Sequence, residues 1–168
     1  MGEMLRRVAL LGLLVSGLWI STAAAQVSER RVVATLSEVR GRVSVLFVRN
    51  GKTDIGRNGM FLEQGDRITT GADGKATVLF RNGSKMRLLE NTDFEITRAS
   101  EENTRERSFD FELNLRKGSL RGNLRRGGQI ARIRTPVAVI GVKGTVFRVT
   151  EESAEGTTVA VTEGQVAV

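Results

Sequence analysis

The chain of 168 residues has no cysteine, no histidine and no tyrosine, and has a single proline and a single tryptophan. Without cysteine there can be no disulfide, thiolate zinc site, iron–sulfur cluster or cysteine nucleophile. Without histidine the commonest general base and the commonest metal ligand are missing, which excludes Ser–His catalysis and His-ligated metals. Asp, Glu, Lys, Arg, Ser and Thr remain, so the composition favours a binding or structural module over an enzyme. One proline against nineteen glycines suits short strands joined by tight turns better than helices. The length fits one domain of ordinary size, and 40% hydrophobic residues suffice for its core.

The N-terminus reads as an address. Arg6 and Arg7 precede an apolar run at 8–20, and Ala23, Ala24, Ala25 and Gln26 follow. A basic start, a short apolar middle and an A-x-A site are the parts of a secretory signal peptide, with cleavage expected after Ala25. The apolar run is too short for a bilayer core of roughly 30 Å, although 8–25 retained as an anchor is the alternative. The flanks of Arg6 and Arg7 match a twin-arginine signal poorly. Loss of Arg6, Arg7 and Glu3 takes the net charge from +7 to +6. The expected organisation is a signal peptide at 1–25, a lead-in at 26–38 and one β-domain at 39–168. The expected location is the periplasm or the exterior, with no membrane span after cleavage.

Beyond the leader, apolar residues alternate with period two. Val39, Gly41, Val43, Val45 and Phe47 alternate with Arg40, Arg42 and Ser44. Phe109, Phe111, Leu113 and Leu115 alternate with Asp110, Glu112 and Asn114. Similar patterns at 75–89 (a hairpin about Asn82-Gly83), 93–97, 137–142, 145–149, 158–162 and 165–168 predict further strands. Residues 99–107 are polar and are expected to form an exposed loop or a short helical turn. No window carries a capped helical period. The fold class is therefore all-β, with about ten to twelve short strands in a solenoid-like or sandwich arrangement.

Several short motifs follow in a fixed order. Gly65-Asp66-Arg67-Ile68-Thr69-Thr70 comes first, then Asn82-Gly83-Ser84 and Leu115-Arg116-Lys117-Gly118. After these come Thr135-Pro136-Val137-Ala138, then Gly144-Thr145-Val146-Phe147, and finally Val161-Thr162-Glu163-Gly164-Gln165-Val166. Gly65-Asp66 and Asn82-Gly83 are expected to make turns needing positive φ or a side-chain-to-backbone bond. Thr135-Pro136 is expected at a strand start, and Gly144 where the backbone closes on a neighbour beside a core Phe147. This ordered set resembles the FecR domain family over roughly residues 41–168. The resemblance implies a periplasmic domain of the kind found in regulators of iron-dicitrate transport. There a membrane helix and a cytoplasmic anti-sigma segment precede the domain, and the signal comes through protein contact with an outer-membrane receptor. A leader with no cytoplasmic portion ahead of the domain is instead similar to exported stand-alone FecR-domain proteins. The abrupt end at Val168 raises the expectation of a truncated version of a longer protein.

Arg116, Lys117, Arg121, Arg125, Arg126, Arg132 and Arg134 form a basic run with no acidic residue between them, interleaved with Gly118, Gly122, Gly127 and Gly128. Arginine outnumbers lysine 21 to 5 across the chain, and its planar fork grips carboxylates and phosphates bidentately. The run is a candidate anion- or partner-binding surface, and a solvated basic edge is the plainer alternative. Export and few aromatics disfavour nucleic acid. Asp66, Asp73, Glu90, Asp93 and Glu95 could supply a hydrolytic carboxylate pair or calcium ligands, yet their spacing matches no calcium loop. No catalytic residue, cofactor or metal is expected. A protein or an anionic envelope polymer is the expected partner, with a sensor component of cell-surface signalling as the alternative role.

Overall fold

A computed structural model describes residues 32–101, 109–125, 130–152 and 156–168. The leader at 1–25 and Arg126 lie outside these residues. The described residues are all-β. Strands β1 (Val32–Arg40), β2 (Val43–Phe47), β3 (Lys52–Ile55), β4 (Phe61–Glu63), β5 (Arg67–Thr70) and β6 (Lys75–Phe80) are followed by β7 (Lys85–Leu88) and β8 (Asp93–Glu101). The chain continues with β9 (Phe109–Leu124), β10 (Ile130–Arg134), β11 (Val139–Glu152) and β12 (Gly156–Ala167). All twelve join one hydrogen-bonded sheet, in the order β3-β2-β5-β8-β9-β7-β6-β1-β4, with β10, β11 and β12 joining beside β9.

The sixteen-residue β9 makes one sheet into two faces. Its first part pairs with β8 on one side and, in parallel, with β10 on the other. Its second part pairs with β7 and with the later half of β11. The first face thus holds β3, β2, β5, β8, the start of β9, β10 and the start of β11. The second face holds β4, β1, β6, β7, the end of β9 and the end of β11, and β12 follows β11 across both. Gly118 at the bend has φ +89, and a Cβ there would meet the Thr92 Cα at 2.5 Å, so only glycine fits. β10 returns beside the start of β9 and runs parallel to it, whereas every other pairing among the described strands is antiparallel.

Alternation turns one side of every face inward. Phe94, Ile96, Phe111, Leu113, Ile133 and Val142 from the first face meet Leu36, Val78, Phe80, Leu88, Leu120 and Val149 from the second, all buried. The rings of Phe80 and Phe111 join the two faces edge-on, with centroids 4.7 Å apart. Phe147 is buried, and its ring fills the space beside Gly122 on the neighbouring strand, where a Cβ would lie 2.0 Å from it.

Four expectations change. The sheet begins at Val32, so residues 32–38 of the lead-in are already part of β1. Residues 99–101 are not loop: Ala99 is buried in β8, whose bulge between Ile96 and Arg98 interrupts the alternation. Pro136 lies in the turn between β10 and β11 and not at a strand start; the Thr135 N–H donates to the Ala138 carbonyl (2.9 Å) across that turn. Gly141 and Gly144 do not break the strand. They lie within a continuous β11, where register shifts between Lys143 and Phe147 carry it from one face to the other.

Candidate functional site

The turn motifs are internal machinery. Gly65 has φ +88, and the buried carboxylate of Asp66 accepts the Val48 N–H (3.0 Å) and the Glu63 N–H (2.8 Å). Burial pushes the Asp66 carboxyl up from its ordinary pKa, against the pull of those two N–H groups. Gly83 has φ +86, and the Asn82 Oδ1 accepts the Ser84 N–H at 2.9 Å. Thr145 pairs with Leu124 in β11, and Gly164 lies in β12. At the bend, the Thr92 N–H donates to Thr70 Oγ1 (2.9 Å) and the Thr92 hydroxyl to the Ser119 carbonyl (3.1 Å). The Ser119 and Thr150 hydroxyls lie 2.9 Å apart.

The other acidic candidates are each engaged by a cation. Asp73 meets Arg42 (3.2 Å), Glu90 meets Lys75 (2.9 Å), Asp93 meets Arg67 and Glu95 meets Arg116 (2.5 Å). A hydrogen bond from Arg42 holds the exposed Asp73 carboxyl below its ordinary pKa.

The described members of the basic run do not form one patch, because the chain winds round the fold. Arg116 and Arg132 point out from the first face, Arg132 paired with Glu112 at 3.3 Å, and Arg134 is exposed on the same side. Lys117 borders the bend beside Glu90 and Glu152. Arg121 is exposed on the opposite, second face. Arg125 lies against the β6–β7 hairpin, its guanidinium donating to the Asn82 carbonyl (3.4 Å).

Register assembles a different set. Arg87 of β7 is directly opposite Arg121 of β9, which is directly opposite Arg148 of β11. Met86, Leu88, Leu120, Phe147 and Val149 around them are buried, so all three arginines project outward from the second face. Glu38, in β1 with φ +51, accepts from Arg87 (2.8 Å) and from the Thr77 hydroxyl (2.7 Å). Those bonds, the Thr77 one foremost, hold its carboxyl below the ordinary value. No carboxylate among the described residues pairs with Arg121 or Arg148. Lys85 extends the basic surface along β7. On the first face, by contrast, Glu95, Asp110 and Glu112 interleave with Arg98, Arg116 and Arg132. Arg87, Arg148 and Lys85 are absent from the sequence-level candidates. Their signal was the alternation in Lys85-Met86-Arg87-Leu88 and Val146-Phe147-Arg148-Val149, which sets the charges on one side of each strand.

A family model described as FecR protein matches residues 66–167. The chain belongs to the FecR family. FecR-family proteins are of sensor and regulator type, and the FecR domain is typically periplasmic. Every motif that carried the resemblance from Asp66 onward lies in the matched segment, as do Arg87, Arg121 and Arg148. No curated protein and no solved structure matches the chain. Among the described residues no helix is long and apolar enough to cross a membrane.

Proposed function

We propose that the chain is an exported, non-catalytic FecR-domain module of the bacterial envelope that binds a protein or polymer partner through the outer surface of its second face. The observation that supports this reading is the charge contrast between the faces. Arginines of the first face stand among carboxylates, whereas Arg121 and Arg148 stand in line with Arg87 with no carboxylate among the described residues paired to them. Surface guanidinium groups in such a row draw acidic partners by electrostatic steering and bidentate bonding.

Retention of partners from an envelope extract tests it. The wild-type chain is compared with an Arg121→Ser, Arg148→Ser variant of the second face and an Arg116→Ser, Arg132→Ser variant of the first. The second-face variant is expected to lose partners that the first-face variant keeps. Equal recovery by all three chains overturns the assignment of the face. Family membership favours a second reading, a sensor component that relays a cell-surface signal to a sigma-factor regulator. Recovery of an outer-membrane receptor or an anti-sigma protein among the partners supports that reading.

A further inference from the structure

We propose that a second copy of this chain pairs with the free edge of β12, antiparallel and about a two-fold axis at Ala160. The pairing is independent of what the second face binds.

Among the described residues three strands bound the sheet, and they differ. β3 has four residues, Lys52 and Asp54 among them, and all four are exposed. β4 has three residues. Shortness and charge blunt both edges against further pairing. β12 has twelve residues, with no lysine, arginine or proline. Among the described residues it pairs only with β11, which leaves its other edge as a template for one more strand.

The sequence of β12 fits it to its own copy. Thr158-Val159-Ala160-Val161-Thr162 reads the same in both directions. Two antiparallel copies centred on Ala160 set Ala160 opposite Ala160, Val159 opposite Val161 and Thr158 opposite Thr162. Every residue then meets one of its own kind, the self-complementarity that a two-fold contact requires. Pairs of β-branched side chains and of threonines are favourable across antiparallel strands. No charge meets its like, because the segment carries none. The register shift against β11 between Val161 and Glu163 ends the regular segment there.

The same edge leaves core side chains half covered. Val159 and Val161 are opposite the buried Val149 and Phe147. Val159 packs against the core, but Val161 keeps 39% of its surface exposed. Pairing about Ala160 brings both valines of one copy against both of the other, and the two cores continue beneath one sheet. On the outer side, Ala160 is opposite Arg148. The two copies of Arg148 are then three strand spacings apart, about 14 Å. That exceeds the screening length of about 8 Å at physiological salt, so their repulsion is weak.

Because the chain has no cysteine, single-cysteine variants report the register. Opposed Cα atoms of an antiparallel pair lie about 4.5–5.5 Å apart, within disulfide reach. The two copies of Thr158 are four residues out of step, about 13 Å apart, and beyond that reach. Under mild oxidation Ala160→Cys is expected to give a covalent dimer on a non-reducing gel, and Thr158→Cys to stay single. In sedimentation velocity the full wild-type chain is expected to form a dimer that dissociates on dilution, as a small interface should. Ala160→Lys sets two like charges opposite one another and is expected to lose that dimer, with circular dichroism checking that its strands remain. A wild type that is monomeric at every concentration overturns the proposal. So does cross-linking no faster in Ala160→Cys than in Thr158→Cys, or a dimer that survives Ala160→Lys unchanged. A ladder of larger species overturns it in favour of head-to-tail stacking of β12 on β3 or β4. Retention of an envelope protein that Ala160→Lys loses, with no dimer formed, overturns the second copy and assigns the edge to that protein.

Discussion

Two residues show how closely the fold constrains single positions. Gly122 has no side chain because the ring of Phe147, on the adjoining strand, occupies that space. Gly122→Ala is expected to destabilise by about 1–3 kcal/mol, the usual scale for overpacking a filled core. Adding Phe147→Leu should recover part of that loss, as urea denaturation of the single and double variants will measure. Asp66 takes two backbone N–H groups with one buried carboxylate. Asp66→Asn keeps one acceptor oxygen and turns an amide NH₂ toward the other donor, so a loss of about 1–3 kcal/mol is expected by the same measurement. The role of Asp66 was legible only in part, because its bond from the Glu63 N–H is local to the Gly-Asp turn while the Val48 N–H arrives from earlier in the chain. The role of Gly122 was not, since the ring that fills its place arrives from a strand more than twenty residues later.

Among elements, strand pairing decides what the charges do. The alternation in the first half of β9 was plain because one side of that half is buried and the other solvated. Its continuation past Gly118 was hidden, because a glycine at a bend looks like a turn that ends a strand. In β1, Val33 and Ala34 are both buried at a register shift, which erased the period-two signal there. The basic run read as one patch because it is contiguous in sequence, but a strand that crosses two faces distributes its residues to both. Arg87, Arg121 and Arg148 come together through pairing alone. Glu38 anchors one end of that row, and its lowered pKa has a definite sign. Its contribution to stability is full above the ordinary glutamate value of about 4.3 and is lost as pH falls through the lower folded value. Chemical denaturation at stepped pH between 5 and 3 should therefore show a steeper loss for the wild type than for Glu38→Gln. Parallel curves would remove Glu38 from the account of the row.

For the whole molecule, the missing histidine and cysteine direct attention to surfaces, and the surfaces differ. The first face mixes signs, while the second carries a cationic line over a core of leucine, valine and phenylalanine. All-β character and strand number were legible from alternation and turns, and the resemblance to the FecR family from the order of its motifs. The path by which one sheet becomes two faces was not, because it depends on which distant strands pair. The central claim is that the second-face arginines carry the contact with the partner. It is tested most directly by the salt dependence of partner retention from envelope extract, for the wild type and for the Arg121→Ser, Arg148→Ser variant. Salt screens exposed ion pairs, so retention by the wild type should fall steeply with salt and the residual retention by the variant should hardly change. An equal salt response in the two chains would contradict the account.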